Sequence, residues 1–188
     1  TILLTSPPTL DSRYVQKGSL FLALKGNRVD GHDFAAEAHA GGAALVLSTR
    51  LLEVPCIVVA DVEKALGILA KHVRSELPDL IVIGVTGSQG KTTTKDLLAQ
   101  VLEVVGSTVS AKGSLNNDLG APLTLLHCTR ETRFCIVEMG ARHQGDIERL
   151  CDIVRPNVGV VLIVGSAHLG EFGSVEAIAT AKSELIRN

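Results

Sequence analysis

The chain has 188 residues, enough for one large domain or two small ones with a useful core. Hydrophobic residues make up 46% and aromatics 3%, so the interior must be built from Val, Leu, Ile and Ala, which suits a parallel sheet covered on both faces. A net charge of −2 with dispersed Lys and Arg argues against a general nucleic-acid or acidic-membrane surface, and no apolar run approaches the roughly 20 residues of a membrane helix.

The first block runs from Thr1 to about Glu76. Strands are expected at Leu20–Leu24, Ala44–Leu47 and Ile57–Val59, and a helix at His32–Ala40 with Asp30 or Gly31 near its start. Asp61 is a good N-cap for a helix to about Ser75, with Val62, Leu66, Leu69, Ala70 and Val73 near helical spacing. Pro78-Asp79 then breaks the pattern and marks the expected domain boundary. The second block alternates strand and helix. Strands are expected at Ile81–Val85, Thr108–Ala111, Cys135–Glu138 and Val158–Val164, and helices at Lys91–Val105, Ala121–His127, Asp146–Val154 and Val175–Ile186. That alternation predicts an α/β fold with right-handed crossovers and a mainly parallel sheet.

Four cysteines (Cys56, Cys128, Cys135 and Cys151) form no C-x-x-C pair, and three lie in apolar runs. Buried free thiols in a reducing cytosol fit better than a disulfide framework. Thr1–Leu10 has no basic start and two prolines, unlike a signal peptide. The absence of an initiator Met and the stop at Asn188, soon after a helical pattern, suggest a piece of a longer protein.

The central motif is Gly84-Val85-Thr86-Gly87-Ser88-Gln89-Gly90-Lys91-Thr92-Thr93. It follows a buried strand and opens a helix, the context in which a glycine-rich loop binds nucleotide phosphates. Gly87 and Gly90 let the backbone turn tightly and approach phosphate oxygens. Amides of the loop and helix start are expected to point inward, with the helix dipole adding positive potential. Lys91 supplies a mobile charge for the β- and γ-phosphates, and the hydroxyl of Thr92 is placed to ligate Mg²⁺. The strict pattern needs Gly at position 85, where this chain has Val85. The alternative is a glycine-rich turn with an incidental Lys.

The run Thr86–Asp96 resembles the phosphate loop of the Mur ligases. Asp11-Ser-Arg, Gly18-Ser-Leu-Phe-Leu-Ala-Leu-Lys-Gly26 and Asp30-Gly-His-Asp-Phe34 resemble that family's N-terminal UDP-binding domain. Gly113-Ser-Leu-Asn-Asn-Asp-Leu-Gly-Ala-Pro-Leu123, Glu138–Ile147 and Ala167–Ser174, followed by Ala181-Lys182, are similar to its later segments. The resemblance covers nearly the whole chain and implies a small N-terminal α/β UDP-binding domain (residues 1–77) followed by part of a P-loop-type, mainly parallel sheet domain (residues 78–188), with a C-terminal domain absent. It also implies ATP and Mg²⁺, and a reaction joining D-alanyl-D-alanine to UDP-N-acetylmuramoyl-tripeptide through an acyl phosphate, by a monomeric cytoplasmic enzyme. A branch adding a single amino acid, or a nucleotide-binding module without ligase activity, are the alternatives. The family usually has Asn where this chain has Ile163.

Glu138 ends an apolar strand, where a carboxylate faces the ligand crevice of an α/β sheet and suits Mg²⁺; otherwise it is a solvated strand-end acid. By the resemblance His168 helps bind a second Mg²⁺, against a hydrogen-bonded structural role. Lys182 matches a lysine carbamylated in related ligases; otherwise it is a surface lysine. Asn116 and Asn117 are candidates to hold substrate carbonyl and phosphate groups, or are turn residues. Ser12 and Arg13 are candidates for the uridine diphosphate, Arg gripping phosphate through two parallel hydrogen bonds, against a capped turn with a surface Arg. Lys25, Asn27 and His32 are weaker candidates for the same group. His127 is read as a helix-end residue.

Overall fold

The computed structural model describes residues 2–26, 29–111, 113, 118–165 and 169–187, without the side chain of Leu169. The chain divides into two compact units, residues 1–66 and 67–188.

In the first unit, β1 (Leu20–Leu22), β2 (Leu45–Ser48) and β3 (Cys56–Val58) form a parallel sheet in that order. A 3-10 turn at Gly31–Phe34 leads into α1 (Ala35–Ala40), where a single helix was expected from His32. The reason is local. The Asp30 carboxylate accepts the His32 backbone N–H, tightening the entry, and Phe34 sits at φ −97°, ψ 0°, outside helical geometry. Phe21, Ala23 and Val46 pack with Ala35, Ala38 and Ala43, small residues that let the helix lie close to the sheet. A second 3-10 turn, Ser12–Tyr14, had no helical periodicity to announce it.

The division between the units falls within α2 (Val62–Ser75), which begins where Asp61 caps the backbone N–H of Lys64 at 3.0 Å. The second unit continues with β4 (Ile81–Thr86), α3 (Lys91–Glu103), β5 (Thr108–Ser110), α4 (Gly120–Leu125), β6 (Phe134–Glu138), α5 (Asp146–Val154), β7 (Val158–Val161), α6 (Leu169–Phe172) and α7 (Val175–Arg187). Its four strands run parallel in the order β5-β6-β4-β7. Period-two alternation splits the strand residues between two layers. Val82, Cys135 and Val137 pack with Ala121, Leu125, Ile147, Leu150 and Leu185 of α4, α5 and α7. Ile83, Val85 and Ile136 pack with Ala99, Leu98 and Leu102 of α3. Both faces are covered, as the aliphatic composition requires. β7 ends at Val161 rather than Val164, because the next residues leave the ladder to meet the phosphate loop.

All four cysteines are free; Cys128, Cys135 and Cys151 are buried and Cys56 is half-buried. The neighbouring Cys128 thiol and burial push the Cys135 thiol well up, and burial chiefly pushes Cys151 to about 11, so both are inert at neutral pH.

Arg74, in the last turn of α2, is a buried cation whose donors serve three main-chain carbonyls and one side-chain oxygen. Its guanidinium reaches Val154 O at 3.1 Å, Leu77 O at 2.9 Å, Arg155 O at 3.3 Å and Asn157 Oδ1 at 3.1 Å. The same Asn157 oxygen accepts the Val82 N–H at 2.8 Å, tying this clamp to the start of β4. Replacing Arg74 by Ala leaves several buried acceptors without donors and is expected to destabilise the protein by about 3 kcal/mol. Lys71→Ala, at an exposed ion pair with Asp152, should cost ~0.5 kcal/mol or less. Urea unfolding of the two variants against wild type measures both.

Candidate functional site

Position 85 explains why the phosphate loop tolerates a departure from the strict pattern. Val85 is still inside β4, fully buried and paired with Glu138 of β6, so the turn has not begun there. The turn starts at Gly87, where an added Cβ would lie 2.8 Å from the Leu162 Cβ. Gly90 has φ +82°, a left-handed conformation that glycine adopts without strain, and is the N-cap of α3. Thr86 is buried and donates its hydroxyl to Met139 O at 2.8 Å, locking the ends of β4 and β6 together.

The loop is braced from the β7 side. The Ser88 N–H donates to Ile163 O at 2.8 Å, and the Gly165 N–H donates to Ser88 Oγ at 2.9 Å. The amide of Ser88 therefore serves the scaffold instead of pointing inward as expected. The first amides of α3 have no acceptor within the helix. Ile163 contributes its carbonyl to this brace while its side chain is exposed.

Lys91 folds back over the loop, its ammonium 2.9 Å from Gly87 O. Thr92 donates its hydroxyl to Glu138 Oε2 at 2.9 Å. Glu138 is the last residue of β6 and only 1% exposed, so it is not a solvated strand-end acid. Two oxygens this close, on a hydroxyl and a carboxylate, are the donor set a hard cation takes, with water and phosphate oxygens completing its shell. Among the described residues no group of three or more His, Cys, Asp or Glu side chains is placed to hold a metal ion.

Lys182 is 3% exposed on α7, not a surface lysine. Burial first, and the charge of Lys91 second, hold its ammonium below the ordinary lysine range. Among the described residues no carboxylate pairs with it. Two residues on, Glu184 accepts the backbone N–H groups of Gly145 at 2.8 Å and Glu148 at 3.0 Å, so α7 caps α5 while it carries Lys182. The structure thus brings together Lys91, Thr92, Glu138 and Lys182. His168, Asn116, Asn117 and Asn27 lie outside the described residues.

In the first unit the candidates separate. An open cavity of about 360 Å³ is lined by Ala23, Leu24, Lys25, His32, Thr49 and Asp61 among others. Ser12 and Arg13 do not line it. Ser12 donates to Glu37 Oε1 at 2.9 Å, and Arg13 pairs with Asp11 at 2.6 Å, which holds its guanidinium charged and the Asp11 carboxyl below its usual range. His32 is buried, with Nδ1 2.5 Å from Asp30 and Nε2 3.1 Å from the Thr49 N–H. Since Nε2 accepts from an amide, the proton sits on Nδ1 and is donated to Asp30. That arrangement shapes the cavity wall. His127 closes α4 as a helix-end residue, Nδ1 2.7 Å from Leu123 O.

One residue that sequence reasoning passed over is Lys95, fully buried on α3. Its signal was a lysine at a core-facing helical position, in step with Leu98, Ala99 and Leu102.

The Mur ligase middle domain matches residues 85–188, and the catalytic domain of the Mur ligase family matches residues 9–75. The chain is 49% identical to the UDP-N-acetylmuramoyl-tripeptide--D-alanyl-D-alanine ligase of Mycobacterium tuberculosis, over 96% of this chain and 40% of that protein. Among solved structures, MurF from Acinetobacter baumannii superposes with a TM-score of 0.86 at 43% identity, over 96% of this chain and 40% of the other. MurF from Thermotoga maritima in complex with ADP gives 0.84 at 39% identity, over 99% and 44%. The chain spans about two fifths of the length of these relatives. With its middle-domain match covering more than half of its residues, and its fold and phosphate loop in the same order, the chain belongs to the Mur ligase family.

Proposed function

We propose that this chain carries the substrate-nucleotide and ATP-binding parts of a ligase that joins D-alanyl-D-alanine to UDP-N-acetylmuramoyl-tripeptide. In this reading residues 1–77 hold the UDP end, residues 78–188 hold ATP, and the protein works as a cytoplasmic monomer with no nucleic-acid or membrane partner. The names of the relatives support the substrates, and the ADP-bound relative supports the nucleotide. The observation that carries the reading is the 2.9 Å contact of Thr92 with buried Glu138, at the mouth of the phosphate loop.

The reaction moves the γ-phosphoryl group of ATP to the terminal carboxylate of the tripeptide, releasing ADP. The amine of the dipeptide then attacks the acyl carbon and expels inorganic phosphate. Both partners of the first step are anions, so the site must offset their repulsion. Lys91 leaves Gly87 O to follow the β- and γ-phosphates, and the α3 amides hold the phosphate oxygens. Thr92 and Glu138, joined by His168 in the family arrangement, would hold Mg²⁺, which supplies charge neutralisation at the transferring group. Ser88, Gln89, Gly90 and Thr93 complete the nucleotide cradle, with Asn116 and Asn117 on the acyl substrate. Lys182 reacts as a neutral amine with CO₂ to give a carbamate and a proton, turning a buried cation into an oriented carboxylate-like group beside Lys91.

Calorimetry with ATP and with UDP-N-acetylmuramoyl-tripeptide tests the two halves of this reading separately. Lys91→Ala should lower ATP affinity at least tenfold with an unchanged melting curve. Arg13→Ala and Lys25→Ala should each weaken the muramoyl ligand and leave ATP untouched. If ATP binds Lys91→Ala as it binds wild type, the loop is not a phosphate site.

Glu138→Gln keeps the shape of the side chain and removes the charge that holds a hard cation. The expected result is ATP binding that no longer responds to Mg²⁺, with binding in EDTA preserved. A normal Mg²⁺ response reduces Glu138 to a structural acid.

The Lys182 shift gives a pH test with a defined sign. A lowered folded pKa means that the amine becomes neutral at lower pH than an ordinary lysine, so carbamate should form first at this position as pH rises. Carbon-13 bicarbonate should give one protected carbamate resonance below the pH at which other lysines react, absent in Lys182→Met. A spectrum identical in the two proteins removes the modification.

A further inference from the structure

The stretch between β6 and α5, residues 139–145, is held along its whole path. Met139 is fully buried and donates its N–H to Val85 O at 2.9 Å, so the chain is still tied to β4 one residue past Glu138. Ala141 is buried too. The amides of Arg142 and His143 both donate to Asp146 Oδ2, at 2.9 Å each. Gly145 adopts φ +88° as the N-cap of α5, and its N–H donates to Glu184 of α7 at 2.8 Å. One carboxylate from α5 and one from α7 therefore fix the main chain of this loop.

The cations on and beside the loop differ in what they hold. The Arg149 guanidinium is spent on Asp118 at 2.8 Å and Asp146 at 3.2 Å. The His143 ring lies 3.9 Å from the same Asp146. Arg142 is exposed, and among the described residues its side chain has no hydrogen bond or ion pair. On a loose surface loop that would be ordinary. Here the backbone beneath the side chain is fixed, so less freedom is lost when the guanidinium closes on a ligand.

The place of Arg142 says which ligand. It follows Glu138 by four residues, roughly 14 Å of chain at most. The Glu184 contact fastens the same loop to α7 two residues past Lys182. The loop thus borders the edge at which the acyl group is phosphorylated in the reading above. It leads into α5, which packs on the opposite face of the sheet from α3. The phosphates of ATP belong to Lys91 and the start of α3 in that reading, so an anion that reaches Arg142 belongs to the other reactant. A planar guanidinium matches a carboxylate through two parallel N–H donors.

We propose that Arg142 is a specificity-determining residue that binds a carboxylate of the acyl substrate's peptide other than the one that is phosphorylated. This rests on the ligase reading above, because the peptide is the reactant that reading places at this edge.

The test uses this chain as wild type, Arg142→Gln and Arg142→Lys, titrated by calorimetry with four probes. These are ATP, UDP, UDP-N-acetylmuramoyl-tripeptide, and the same tripeptide ligand with its non-reacting carboxylates amidated. Wild type should bind the free-acid ligand about tenfold more tightly than the amidated one, the scale of a charged hydrogen-bonded pair. Arg142→Gln should bind both forms alike, at the wild-type level for the amidated form. Its affinities for ATP and UDP and its melting curve should not change. Arg142→Lys, which keeps the charge and loses the fork, should retain part of the preference. If Arg142→Gln still prefers the free acid as wild type does, the proposal is overturned. A loss of ATP or UDP affinity equal to the loss of the tripeptide ligand assigns Arg142 to phosphate and overturns it as well. A wild type that binds both tripeptide forms equally removes the subsite and leaves the ligase reading standing. A wild type that binds ATP but neither tripeptide form overturns the ligase reading, and the subsite with it.

Discussion

The parallel pairing of β4 with β6 is the constraint on which the second unit depends. It sets Val85 opposite Glu138, so both strands end at the same level of the sheet. The turn after β4 and the carboxylate at the end of β6 are then neighbours by register alone. Thr86 adds a buried hydrogen bond to Met139 that prevents the ends from splaying. Because strand direction is shared, the phosphate loop, Glu138 and the segment after β7 all emerge on one edge, where ligands bind in open parallel sheets. A slip of one residue would point Glu138 into the opposite layer and dissolve the pair with Thr92.

That edge is an electrostatic compromise. Lys91 and Lys182 bring positive charge to one place, and burial makes the charge on Lys182 costly. Glu138 lies on the strand side, and its hydrogen bond from Thr92 keeps the carboxylate oriented. Helix α7 supports the arrangement at a distance, since Glu184 caps the start of α5 and Ile178, Ala181 and Leu185 seat the helix in the core. Helix α7 thus carries both Lys182 and the packing behind it.

In the first unit the Asp11-Ser12-Arg13 motif and the open cavity do not coincide. Asp11-Ser12-Arg13 folds as a self-contained turn, the aspartate capping the backbone of Arg13 and pairing with its guanidinium. The open cavity of this unit lies elsewhere, against Lys25, His32 and Thr49. His32 reads on the page as a chemical residue and turns out to be a hydrogen-bonded part of the wall, held between Asp30 and Thr49.

What the residues determine by themselves is whatever depends on near neighbours. The aliphatic run Ile81–Thr86 could only be a buried strand, Gly90 followed by Lys-Thr-Thr could only turn into a helix start, and Asp61 capped its helix as its side chain dictates. The α/β class followed from the alternation of such segments. Tertiary structure alone decided which distant groups meet, because those meetings depend on strand order and register. The order β5-β6-β4-β7 puts Glu138 beside Thr92, 46 residues away in the chain, and brings the Ile163 carbonyl to the amide of Ser88. Lys95 is the clearest case. Its place on the inner face of α3 was legible in the helical period, but that the position should take an ammonium follows only from the carbonyls that β5 delivers there.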